Sequence, residues 1–118
     1  MIVSDQATAS RLTIAIEHSS SGAVVRCRGR LVAGVNDQFY LEVKQLLPGC
    51  QRLVLDLADL SHMDSSGLGT LVRLYVSAKS AGCVLELNNI GKPIRQLLGV
   101  THLLSVFESV GENKIRMG

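Results

Sequence analysis

"RLVLDLADLSHMDSSGLGTLVRLYVSAKSAG", Arg52 to Gly82, contains the change of period that decides the fold. In its first part Leu53, Leu55 and Leu57 alternate with Val54, Asp56 and Ala58, and the earliest residues are apolar on both faces. That pattern predicts a strand in the interior of a sheet. In its last part Leu68, Leu71, Val72, Tyr75 and Val76 recur at steps of three and four. This spacing predicts an amphipathic helix from Ser66 to about Ala81, ended by Gly82. Between the two, "HMDSSGLGTL" (His62 to Leu71) crowds an acid, two hydroxyls and two glycines at a helix start. A serine there can cap the helix, act as a nucleophile or receive a modification.

Upstream, "RLTIAIEH" (Arg11 to His18) and "AVVRCRGRL" (from Ala23) read as two strands joined by the turn "SSSG", which makes a hairpin. Asn36 is read as the cap of the helix "DQFYLEVKQLL", with Phe39, Val43, Leu46 and Leu47 on one face and Pro48-Gly49 as its stop. Downstream come the strand "CVLEL", the loop "NNIGKP", a short helix "IRQLLG" with Pro93 in its first turn, and a last strand around Ser105 to Phe107. Residues 1–10 read as a loose polar tail or a weak edge strand, and 110–118 as a polar tail. The expected fold class is α/β: a small mixed sheet, with an N-terminal antiparallel hairpin and then β-α crossovers, packed with helices. A single domain over residues 1–118 is expected, its core spanning about 11–110. Leu53, Leu55, Leu71, Val72 and Leu97 are its predicted core.

The chain has 118 residues, of which 47% are hydrophobic and only four aromatic (Phe39, Tyr40, Tyr75, Phe107), so the core must be aliphatic. Net charge is +2, with 5 basic and 4 acidic side chains in the first fifty residues and 7 and 6 in the rest. That even mixture argues against a nucleic-acid footprint, which needs clustered cations with stacking aromatics. The local cluster "RCRGR" (Arg26 to Arg30) sits in a strand pattern and reads as a solvated sheet face. Cys27, Cys50 and Cys83 lack any C-x-x-C spacing, and Cys27 and Cys83 fall in apolar strand patterns as small core residues. His18, His62 and His102 have no metal-motif spacing, so neither metal nor cofactor is expected. No apolar run reaches eighteen residues and the start lacks a leader pattern, which makes a reducing cytosol the expected compartment.

The chemistry at the Asp64-Ser65-Ser66-Gly67 junction narrows by motif. A nucleophile elbow needs G-x-S-x-G, and the upstream glycine is absent here. "GLGTLV" begins like a dinucleotide fingerprint but ends in Val72, and no G-x-x-x-x-G-K-[ST] occurs. A cap explains one of the three polar residues and is worth roughly 1 kcal/mol. A phosphoryl group on a serine here would face unpaired N–H groups and the positive end of the helix dipole. It would add about −1.5 to −2 charges at pH 7 beside Asp64, enough to repel a partner without unfolding the domain.

At these residues the sequence resembles the bacterial anti-sigma factor antagonists of the STAS domain family. The resemblance rests on "LVLDLADLSHMDSSGLGTLV" and, more loosely, on "NNIGKPIRQLLGVTHLL" and "VVRCRGRL", together covering about Ala23 to Phe107. It implies a regulatory binding protein with no active site of its own. An anti-sigma factor with serine kinase activity would phosphorylate Ser66, with Ser65 the secondary candidate, and a serine phosphatase would reset it. The partner surface would take in Asp64, Ser65, Ser66 and Gly67 together with Arg30 and Asn89. In "GRLVAGVNDQ", Arg30 and Val32 stand where family members often carry more polar or acidic residues, which alters charge complementarity. The same family also supplies constitutive cytosolic subunits of lipid-transporting ABC complexes and scaffold subunits of stress-signalling assemblies. Those remain the alternative expectations.

Overall fold

Strand β3 (Arg52–Met63) is the interior strand that its alternation predicts. Leu53, Leu55 and Leu57 are buried on the face that meets the helices, while Val54 is buried on the other. The computed structural model describes residues 12–100, 108–109 and 114–117. On one side of β3 lie β2 (Gly22–Leu31), parallel to it, and β1 (Thr13–His18), antiparallel to β2. On the other side lie β4 (Val84–Asn88), parallel to β3, and then β6 (Lys114–Met117) and β5 (Glu108–Ser109), each antiparallel to its neighbour. The sheet order is β1-β2-β3-β4-β6-β5. The expected class, a small mixed sheet with a leading hairpin and later crossovers, is the class observed.

Three helices make the crossovers: α1 (Asn36–Lys44), α2 (Ser65–Ser80) and α3 (Lys92–Val100). Phe39 and Val43 of α1, Leu47 after it, and Leu68, Leu71, Leu74 and Ala78 of α2 close the core over β2, β3 and β4. The buried stripe of α2 is rotated from the expected one. Gly67, Leu68, Leu71, Leu74 and Ala78 face inward, Val72 and Tyr75 are half-buried, and Val76 is 57% exposed. Leu97 is likewise half-buried against the core. Gly82, at φ 73°, supplies the left-handed residue that releases the chain from α2 into β4.

The C-terminal residues depart from expectation. Residues 114–117 form β6, with Leu85 opposite Met117 and Leu87 opposite Ile115. β4 would otherwise present unpaired main-chain groups on that side, and the short alternation of Ile115 and Met117 with Lys114 and Arg116 suits the pairing. The expected strand around Ser105 to Phe107 and the N-terminal tail lie outside the described residues.

Arg26, Arg28 and Arg30 are all exposed, and Arg26 pairs with Glu17 on β1 and with Asp56 on β3. Cys27, Cys50 and Cys83 are buried. Burial, helped by Asp56, pushes the Cys27 thiol up to about 12; burial and the neighbouring Cys50 do the same to Cys83. Thiols held protonated in this way behave as packing groups.

Candidate functional site

The site begins where β3 hands the chain to α2. Asp64 is extended (φ −103°, ψ −176°) and caps α2, accepting the Gly67 N–H on Oδ1 at 3.0 Å. This satisfies one of the donors that every helix start leaves open. Its carbonyl takes the Leu68 N–H at 3.1 Å, and its own N–H reaches Leu31 O at the end of β2 at 3.4 Å. Oδ2 accepts the Ala33 N–H at 3.2 Å, so the same carboxylate also holds the segment that follows β2.

Gly67 lets these pieces meet. A Cβ at this position would lie 2.3 Å from Leu31 O and 3.0 Å from side-chain carbons of Leu31 and Met63. The first turn of α2 is thus seated directly on the end of β2, a distance only glycine permits. At Gly69, one position past Leu68, a Cβ would meet nothing within 4 Å.

Both serines are exposed, but they are held differently. The Ser66 hydroxyl donates to Asp64 Oδ1 at 2.5 Å and accepts from Asn36 Nδ2 at 2.7 Å. Ser65 precedes it as the first helical residue. The Ser66 hydroxyl and the Gly67 N–H, in that order, with help from the Ala33 N–H, hold the Asp64 carboxyl below its ordinary value of 3.8. Each bond favours the ionised carboxylate.

Asn36 departs from the expected helix cap. Val35, not Asn36, occupies the cap position of α1, and no side chain caps that helix. The Asn36 amide instead crosses to Ser66, thirty residues on. A sequence cue was present only as a polar residue two positions beyond a glycine, which reads equally well as a local cap.

The other expected partner residues make no hydrogen bond to the serines among the described residues. Arg30 lies opposite His62 near the end of β2, exposed and without an ion pair among the described residues. Asn89 takes the left-handed conformation (φ 56°) after β4 and donates to Asp56 Oδ1 at 2.9 Å. Asp56 stands eight positions before Asp64 on β3, so Asn89 belongs to a separate polar pair.

What the arrangement can do follows from its partners. His62 Nδ1 is 3.1 Å from Ser61 Oγ, and the partners of Ser66 Oγ are an amide and a carboxylate. A histidine base aimed at either serine is therefore missing among the described residues. Two clefts, of about 300 and 270 Å³, are lined by Ile14, Val35 and Phe39 and by His18, Leu46 and Cys50, among others. Neither is lined by Asp64, Ser65 or Ser66. No group of three or more His, Cys, Asp or Glu side chains among the described residues is placed to hold a metal ion. The junction is an exposed surface feature with the Ser66 hydroxyl between Asp64 and Asn36.

The fold is a small mixed sheet whose β3–α2 junction carries an exposed serine beside an aspartate cap. The chain belongs to the STAS domain family, whose profile matches residues 13–116. An anti-sigma F factor antagonist from Paenibacillus polymyxa is 28% identical over 97 residues, covering 80% of this chain and 83% of that protein. Sulfate transporter 1.3 of Arabidopsis thaliana is 30% identical over 105 residues, covering 89% of this chain but 15% of the transporter. Among solved structures, the Bacillus cell fate determinant SpoIIAA in its phosphorylated form shares the fold. The TM-score is 0.63 at 19% identity, with 77% of this chain and 85% of that one covered.

Proposed function

We propose that this chain is an anti-sigma factor antagonist whose docking face centres on the start of α2 and is switched off by phosphorylation of Ser66. The observation that carries the reading is the Ser66 hydroxyl itself, exposed in the first turn of α2 and bonded to the capping Asp64. A phosphoryl group there meets the positive end of the helix dipole, so the fold tolerates it. It also sets about −1.5 to −2 charges beside a carboxylate already held ionised, so an approaching partner meets repulsion and new bulk. The unmodified protein binds an anti-sigma factor with serine kinase activity, and a serine phosphatase restores binding. The naming of the Paenibacillus relative as an antagonist and of a solved SpoIIAA as phosphorylated supports this assignment.

The test is affinity capture from the native cell with two baits, one carrying serine and one phosphoserine at position 66. A kinase with an ATPase fold retained by the serine bait alone is the expected result. Incubation with that kinase and ATP should then label Ser66; label confined to any other residue refutes the switch. Ser66→Ala should bind and resist inactivation, whereas Ser66→Asp should bind weakly.

A second reading draws on the plant transporter, 30% identical across 89% of this chain. In it the domain serves a membrane transport assembly, and the start of α2 is a permanent contact. Equal retention of a transporter by both baits would favour that reading.

A further inference from the structure

Two hydroxyls stand side by side at the start of α2, and a kinase that reaches one can reach the other. We propose that Asn36 selects between them: it is the positioning residue that fixes the Ser66 hydroxyl for phosphoryl transfer and leaves Ser65 unselected. The inference rests on the phosphorylation switch proposed above and adds a specificity-determining residue to it.

The argument starts from what each hydroxyl has to hold it. A serine side chain turns among three staggered wells unless its oxygen is bonded. Ser66 Oγ is bonded twice, donating to Asp64 Oδ1 at 2.5 Å and accepting from Asn36 Nδ2 at 2.7 Å. With its proton engaged by Asp64 and one lone pair by Asn36, Ser66 Oγ keeps its second lone pair uncommitted. That is the geometry a phosphoryl acceptor needs, because the oxygen attacks as its proton leaves. In the transfer, Oγ forms a bond to the γ-phosphorus of ATP while the bond to the ADP oxygen breaks, and the Oγ proton passes to the Asp64 carboxylate that already accepts it. Among the described residues, Ser65 Oγ has no hydrogen bond of this kind.

Asn36 is itself committed to this task. Although it opens α1, it caps nothing there. Its Oδ1 is buried without a hydrogen-bond partner among the described residues. Burying an amide oxygen unpaired is unfavourable, and the orientation that does so is the one that turns Nδ2 toward Ser66.

The experiment compares wild type, Asn36→Ala and Asn36→Asp, the last matched in size but lacking the donor. Side-chain coupling constants measured by NMR should show one χ1 rotamer for Ser66 and averaging for Ser65 in the wild type, with Ser66 averaging in both variants. Phosphosite mapping of protein purified from the native cell should give Ser66 as the main site in wild type. Asn36→Ala should reduce phosphate at Ser66 about tenfold and shift a share to Ser65, and Asn36→Asp should reduce it at least as far. A purely structural role would lower Tm and leave both the rotamer and the Ser65:Ser66 ratio as in wild type; that result overturns the proposal. Phosphate on Ser66 at equal level in wild type and Asn36→Ala refutes the role of Asn36 alone. Absence of phosphate from both serines of the wild type refutes the switch and this inference together.

Discussion

Gly67→Ala tests whether the seat of α2 on β2 is as close as described, and Gly69→Ala is its internal control. Both glycines lie in the same helix two residues apart, so the gain in helix propensity on going to alanine, about 0.4–1 kcal/mol, is common to both. They differ in what the new methyl meets. At Gly69 nothing lies within 4 Å, whereas at Gly67 the carbonyl oxygen of Leu31 stands at 2.3 Å. Bringing that contact merely to 3.0 Å requires a shift of 3.0 − 2.3 = 0.7 Å between two backbone segments. The neighbouring Asp64 N–H to Leu31 O bond, already 3.4 Å, lies in the path of that shift. Overpacking of this kind costs about 1–3 kcal/mol. Subtracting one variant from the other isolates that cost, because the propensity gain cancels. In thermal melts Gly69→Ala should match or exceed wild type, and Gly67→Ala should fall below Gly69→Ala by about 4 °C or more. Should the two variants melt within about 1 °C of each other, the close approach of α2 to β2 is wrong.

Other consequences are open to simpler measurements. The carboxyl of Asp64 titrates below its ordinary 3.8, so the unfolded chain binds its proton first as pH falls. Its stabilising contribution is present above about pH 4 and is lost as pH drops through the folded value. Asp64→Asn should therefore flatten the fall of Tm below about pH 4, and an unchanged slope in melts across that range would count against the bonds drawn to Oδ1. Leu71→Ala, at a fully buried position, should cost about 2–5 kcal/mol in urea unfolding. Val76→Ala, on the exposed side of the same helix, should stay within about 0.5 kcal/mol, and a large loss there would contradict the rotated stripe.

That rotation shows where the sequence stopped being informative. Two overlapping stripes on α2 satisfy a 3.6-residue period, one through Val72 and Val76 and one through Gly67, Leu74 and Ala78. Periodicity ranks large apolar residues above small ones, yet it is the smallest, Gly67, that seats against Leu31 and so sets which stripe turns inward. The alternation of Leu53, Leu55 and Leu57 was legible because a strand buried on both faces leaves few other readings. Asp64 was legible as one of three caps, since an acid before a helix has a local purpose. Asn36 was not, because its partner lies thirty residues away and nothing local distinguishes a cap from a cross-link. Residues 114–117 differ from the expected tail for a related reason: four residues carry too little pattern to announce a strand until β4 offers its flank.

Asp64 reaches back thirty-one residues to the main chain of Ala33 with one oxygen while its other oxygen attends to the serine. The link between β2 and α1 therefore feels whatever reorients that side chain. Hydrogen–deuterium exchange at the Ala33 amide becomes a remote gauge of the serine's state, readable without placing any label on the hydroxyl.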